Sequence, residues 1–278
     1  VPIGTMAAYG LTALVIWLSG WRTMFVLAGA ALIGTSLFWI TGMKRVERYA
    51  AESRKMEEMP SGETGGSAKA AVNWKSLLIQ SGFLFLMMAL FVQGALKDGV
   101  TTWVPTYISE TYGLSAILAI TSTMVIPVFN LLGVYLASFA NIHWFRNEVR
   151  TAGAFFVVSA AAILVLRLAS GRSMAVSFLM LALATTAMMA VNTMLIAVLP
   201  SYFGVIGRAS SVSGLLNSSV YAGGAVSTYG IGALSVALGW NATIVIWFLM
   251  AAVSAVICFL TVRKWIAYRK EVLQIWKE

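Results

Sequence analysis

Long uncharged stretches, each near the length of a bilayer crossing, alternate with short polar segments along this chain. An α-helix needs about 20 mainly apolar residues to cross the hydrocarbon core of a membrane. The first such run is Val1 to Trp21 and the second is Met24 to Gly42, parted by the turn Ser19-Gly20-Trp21-Arg22. Further runs are Ser76 to Val104, closing on Trp103-Val-Pro105, and Leu114 to Ala140, with a kink expected at Pro127. Arg150 to Arg167 follows, its terminal arginines able to snorkel, and then Ser173 to Leu199, ending at Pro200. Last come 54 residues without a charge, Ala209 to Val262, twice a span, with Gly239-Trp240-Asn241 as the natural dividing turn. The pattern predicts an all-α membrane protein with eight transmembrane helices.

Residues 43–75 break the pattern with seven Lys/Arg, five Glu and the flexible piece Pro60 to Ser67. They read as a solvated linker with a short surface helix at Lys44–Glu58. The expected organisation is two helices in 1–42, a linker in 43–75, a six-helix unit in 76–264 and a polar tail in 265–278. The chain opens inside an apolar run without an initiator Met, so helices are expected to precede it. If the linker is cytoplasmic, cytoplasmic segments carry fifteen Lys/Arg: seven in the linker, Arg146, Arg150, Arg208 and five after Val262. The opposite side carries three, Arg22, Arg167 and Arg172. That bias follows the positive-inside rule and puts linker and C-terminus on the cytoplasmic side.

Composition narrows the function. Sixty per cent of residues are hydrophobic and ten per cent charged, a balance suited to lipid as solvent. The net charge of +9 sits in the loops between spans, so it is a topology signal and gives no nucleic-acid surface. One cysteine, Cys258, excludes an internal disulfide, and the single histidine, His143, lies in a polar loop. Neither a metal site nor a cofactor is expected, and too few acids and histidines remain for an enzyme. There is no phosphate-binding Gly-x-x-x-x-Gly-Lys-Ser/Thr loop.

Two places carry candidate chemistry. Lys97-Asp98 lies inside a span, and Asp98 is the one aspartate in the chain. A charge at that depth costs about 3 kcal/mol, so it marks either a function or a compensated pair. Successive helical residues point about 100° apart. Lys97 then shares a face with Gln93 and Thr101, Asp98 with Gly94 and Thr102, and the two charges are expected to meet different surroundings. The second place is a small and polar stripe, Ser210, Ser213, Gly214, Asn217, Tyr221, Gly224 and Thr228. It reads either as close helix packing or as the wall of a solute path, with Asn217 and Tyr221 too bulky for packing alone.

Two helices, a charged linker and six helices resemble helices five to twelve of the major facilitator superfamily. A narrower likeness lies in Leu96-Lys-Asp-Gly-Val-Thr-Thr-Trp103-Val-Pro105-Thr-Tyr-Ile-Ser-Glu110, Gly207-Arg-Ala-Ser-Ser-Val-Ser-Gly214, Tyr221-Ala-Gly-Gly224 and Gly239-Trp240-Asn241. These resemble the organophosphate:phosphate antiporters, the glycerol-3-phosphate and hexose-phosphate carriers. Lys97 matches the position of that branch's phosphate-binding arginine. The resemblance implies a secondary transporter of the cytoplasmic membrane, antiporter or symporter, moving a small anionic or phosphorylated organic solute by alternating access. Lys97 would attract the anion, Gln93, Asn217 and Tyr221 would line its cavity, and Asp98 would anchor the helix or carry a coupling proton. A membrane solute sensor on a transporter fold is the alternative. Partners would be the bilayer, the solute and the preceding helices of the same protein.

The charge bias makes one testable statement. Single cysteines at Ser61 and Lys277 should react with an impermeant thiol reagent from the same face of the membrane. Labelling from opposite faces would overturn the topology.

Overall fold

The computed structural model of the chain describes residues 2–57, 82–204 and 208–275. Every described element is helical. The chain divides into two compact units with the boundary between Ala68 and Lys69.

The first unit holds α1, Pro2–Ser19, and α2, Trp21–Glu57, separated by Gly20. The helix does not stop at Gly42 as expected. It runs on for 37 residues in all, so the predicted surface helix is a continuation of the second span. The physical reason is local: residues 43–57 are rich in Lys, Arg, Glu, Met and Ala and contain neither Gly nor Pro. Residues 58–75 of the expected linker lie outside the described residues. Within the apolar part of α2, the hydroxyls of Thr35, Ser36 and Thr41 donate to carbonyls one turn earlier at 2.8, 2.7 and 2.6 Å. This keeps polar groups satisfied where no water is available.

The second unit begins with α3, Phe83–Gly94, which widens into a π-helical segment at Ala95–Gly99 and continues as α4, Val100–Tyr112. Then come α5, Ala116–Thr123, and α6, Ile126–Ala140, followed by a π turn at Asn141–Phe145. Helix α7 is Glu148–Ala169, and α8 is Met174–Asn192, extended by a π segment to Val198 and a 3-10 turn, Leu199–Gly204. Helix α9, Ala209–Ile275, is broken at Gly239, whose φ of 76° and ψ of 168° are not helical. It therefore has two limbs. Helix α9 packs against α3 and α7, and α8 packs between α6 and α7. Phe83, Leu86, Phe156, Ile163, Trp247, Cys258 and Trp265 are buried between them. Outward residues such as Leu164, Leu168, Val253 and Leu260 are apolar and exposed, as lipid contact requires.

The three inner prolines behave differently from expectation. The run 114–140 does not kink at Pro127; it breaks at residues 124–125, and Pro127 sits in the first turn of α6, where its missing N–H costs nothing. The span meant to end at Pro105 passes through it to Tyr112, and ends at Gly113 in the left-handed conformation. Pro200 is crossed by the 3-10 turn. Helices α7 and α8 start on side-chain caps: Asn147 Oδ1 accepts from the Arg150 N–H at 2.8 Å, and Ser173 Oγ from the Val176 N–H at 3.4 Å.

The expected count of eight spans is not matched. Among the described residues six helices are long and apolar enough to cross a membrane. They are Arg22–Arg45, Phe83–Tyr112, Ile126–Phe145, Glu148–Ala169, Met174–Gly204 and Ala209–Lys270. The last holds two expected spans, which meet at the non-helical Gly239 where the dividing turn was expected and are taken together in that count. The run Pro2–Ser19 is helical but is not one of the six.

The packing of α3 on α9 rests on glycine. A Cβ at Gly223 would collide with the Phe91 carbonyl, whereas one at Gly214 would meet nothing within 4 Å. Gly223→Val should therefore lower stability by about 1–3 kcal/mol or more through overpacking. Gly214→Ala should be neutral or raise it by about 0.5–1 kcal/mol by removing helix-interior glycine entropy. Thermal unfolding of the two variants in detergent separates them; equal effects would show that the contact is not what holds the helices.

Candidate functional site

Four glycines bring the α3–α4 rod against the first limb of α9. A Cβ at Gly94 would fall on the Val220 carbonyl, one at Gly223 on the Phe91 carbonyl, and one at Gly99 on Ser227 and Ile231. The fourth, Gly224, receives Asp98: its carboxylate Oδ2 lies 3.0 Å from where a Cβ of residue 224 would be. Between these contacts lies the π segment Ala95–Gly99, which carries Lys97 and Asp98. A π turn leaves backbone carbonyls short of their usual donors, and single π turns in α-helices favour functional positions. Here the Thr101 and Thr102 hydroxyls donate to the Lys97 and Asp98 carbonyls at 2.6 and 2.7 Å.

The two charges do not part company as adjacent helical positions should. Lys97 Nζ lies 3.2 Å from Asp98 Oδ1. The expectation of different surroundings is corrected for a geometric reason. The wider π turn reduces the angle between neighbours, and the four-carbon lysine stem swings back to the carboxylate, which lies near Gly224 of α9. The side chains are 20% and 38% exposed, so both ions remain reachable from outside the packed core.

The other predicted positions fall into two groups. Gln93, one turn before Lys97, is completely buried; its Nε2 donates to the Met188 carbonyl of α8 at 3.0 Å, and its Oε1 has no partner. Asn217 is half-buried and Tyr221 is 69% exposed. These two stand on the same limb of α9 as Gly224, seven and three residues before it, about two turns and one turn from the Asp98 contact. Of the polar stripe only Gly224 is buried; Ser213 and Asn217 are half-buried, and Ser210, Gly214, Tyr221 and Thr228 are exposed. The buried seam of this limb is made by other residues, Val212, Leu216, Val220, Gly223, Ser227 and Ile231. Close packing within the stripe is thus confined to Gly224, and its other members stand beside the seam.

Trp103 was legible in sequence as a helix-end marker only. Its indole Nε1 donates to the Thr228 carbonyl at 2.9 Å, and its ring covers Gly232. A second residue, Glu148, was not singled out. Its carboxylate is 3% exposed and takes three donors from distant sequence: Tyr202 Oη at 2.6 Å, Trp265 Nε1 at 3.1 Å and Arg269 Nη1 at 3.5 Å. The signal was an acid at the first residue of an apolar run, where a helix N-terminus also favours negative charge. Among the described residues no group of His, Cys, Asp and Glu is arranged to hold a metal. His143 makes only local contacts, to the Phe139 carbonyl and ring.

The geometry is that of a helical bundle with a half-exposed ion pair inside a span, and the chain can be compared with known families on that footing. The sequence profile of the Major Facilitator Superfamily matches residues 1–228. The chain belongs to this superfamily. Comparison with curated proteins gives no match. As a member of the Major Facilitator Superfamily it is a multi-pass membrane protein of a transporter family. The matched stretch reaches from the first described helix to Thr228, and so includes Gln93, Lys97, Asp98, Asn217 and Tyr221.

The Glu148 cluster ties the start of α7, the end of α8's extension and the end of α9 together. Glu148→Gln should lower stability by about 1.5–3 kcal/mol, because the bonds to Tyr202, Trp265 and Arg269 lose their charge assistance. Thermal melts in detergent give the measurement, and an unchanged midpoint would show that the carboxylate is not a tie point.

Proposed function

We propose that the protein is a secondary transporter of a small anionic, including phosphorylated, organic solute, working by alternating access in the cytoplasmic membrane as an antiporter or symporter. Its helices then correspond to five to twelve of the superfamily's twelve, with the six-helix unit 76–264 after a cytoplasmic linker and a cytoplasmic C-terminal tail. The observation that carries the reading is the Lys97–Asp98 pair, within a span, in a π turn, and only partly covered. An ammonium at that depth needs an anion, and Asp98 is the resident one. A solute anion competes with Asp98 for Lys97. Tyr221 and Asn217, on the same limb of α9, line the approach, while Gln93, one turn before Lys97, is buried with its amide N–H on the Met188 carbonyl.

Lys97 and Asp98 variants of the full-length protein test this, with solute binding and thermal stability measured together. Lys97→Arg should keep part of the binding, since the charge persists. Lys97→Gln should lose about tenfold to a hundredfold in affinity, the worth of one charge-assisted contact, while the protein stays folded. Asp98→Asn should bind the anion more tightly, because the competitor is gone. A double neutral variant, Lys97→Gln with Asp98→Asn, that recovers both stability and transport would overturn the anchor and leave a structural pair.

A further inference from the structure

Next to the ion pair, the first limb of α9 carries an open hollow of about 670 Å3, lined by Trp103, Ala225, Thr228, Tyr229, Gly232 and Val236 among others. None of its lining residues is charged. The size is that of a small-molecule site, typically about 300–1,000 Å3.

Two features decide what fits it. First, its polar groups are mostly spent. The Trp103 indole N–H is held by the Thr228 carbonyl, and the Thr228 hydroxyl donates to the Gly224 carbonyl at 2.8 Å. That leaves the Tyr229 hydroxyl as the remaining polar side-chain group of the wall. A body bearing a hydroxyl on every carbon would find few hydrogen-bond partners on this wall. Second, the wall offers rings in fixed and open positions. Trp103 is pinned at both ends, by Thr228 and by its contact with Gly232, while Tyr229 is 83% exposed. Flat apolar area of this kind favours an aromatic partner.

The hollow also has a fixed distance from the charge. Asp98 sits on Gly224, and Trp103 sits on Thr228 and Gly232 of the same limb. At about 1.5 Å per residue, charge and ring platform lie about 6–12 Å apart along α9. Resting on the reading of Lys97 as anion anchor, we propose that this hollow is the ring subsite of the same site. The solute is then an aryl-bearing organic acid: its acid group pairs with Lys97, a short chain spans one turn, and its ring lies against Trp103 and Tyr229.

The test uses the full-length protein in detergent and isothermal titration with 3-phenylpropanoate, propanoate and inorganic phosphate. The expected result is about tenfold tighter binding of 3-phenylpropanoate than of propanoate. That preference should vanish in Trp103→Ala and largely survive in Trp103→Phe. Tyr229→Ala, at an exposed position, should reduce it and serves where Trp103→Ala does not fold. Equal binding of the two carboxylates, or binding of phosphate alone, overturns the ring subsite while a loss on Lys97→Gln still upholds the anchor. A preference for the aryl acid that ignores Lys97→Gln overturns the anchor on which the inference rests. Absence of binding by all three overturns both.

Discussion

The site depends on how closely two backbones approach. Between α3 and the first limb of α9, Gly94 faces the Val220 carbonyl and Gly223 faces the Phe91 carbonyl, so neither helix has a side chain between them there. In lipid, apolar side chains gain little by leaving the solvent, and helix association relies on close packing and on polar contacts. Glycine contact supplies the first of these and sets the second. Because the rods touch, Asp98 reaches the surface over Gly224, Trp103 reaches the Thr228 carbonyl, and Lys97 is drawn toward Asp98. A larger residue at either glycine would separate all three pairs at once.

The acids of the second unit repeat one theme. Asp98 pairs with Lys97, Glu110 accepts from Trp240 Nε1 at 2.7 Å, and Glu148 accepts from Trp265 Nε1 at 3.1 Å. Glu110 ends the α4 rod beside the bend at Gly239, and Glu148 begins α7 beside the far end of α9. The two glutamates thus fasten the second limb of α9 at both ends, each through an indole N–H, and that of the buried Trp265 would otherwise be an orphan. Between them Trp247 lies within the core with its own N–H unpartnered. Among the described residues of this unit the Lys97–Asp98 pair lies deepest within a span, and the other charges stand toward span ends.

Much of the fold was legible because membrane length and charge are simple constraints. Runs without Lys, Arg, Asp or Glu gave the helices α2, α3–α4, α7, α8 and α9 to within a few residues of one end or the other. What failed was punctuation. Pro105 and Pro200 read as stops and are crossed; in a bundle, neighbouring helices, hydroxyls and π or 3-10 turns satisfy the freed carbonyls. The uncharged run 209–262 was long enough for two spans, and it divides at Gly239, where the turn residues stand. The superfamily and the α9 limb were visible in motifs. A compensated Lys97–Asp98 pair was one of two readings, and ideal helix geometry, which sets the two charges apart, spoke against it where the chain forms a π turn that no local propensity announces. Glu148 escaped because its donors lie 54 to 121 residues away.

A paired ammonium and carboxylate carry no net charge, which bears on how such a site would work in a transporter. A lone lysine at depth would be costly to insert and would hold an anion too firmly to release it. Pairing with Asp98 lowers the first cost and weakens the second interaction, since an incoming anion must compete with a carboxylate already 3.2 Å from the nitrogen. The carboxylate approaches α9 at Gly224 on a stem of one carbon, whereas the ammonium sits on a stem of four. The lysine end of the pair therefore has the greater reach to change partners. With Lys97 as anion anchor, that asymmetry would let an anion bind and leave while the helix pair itself stays closed.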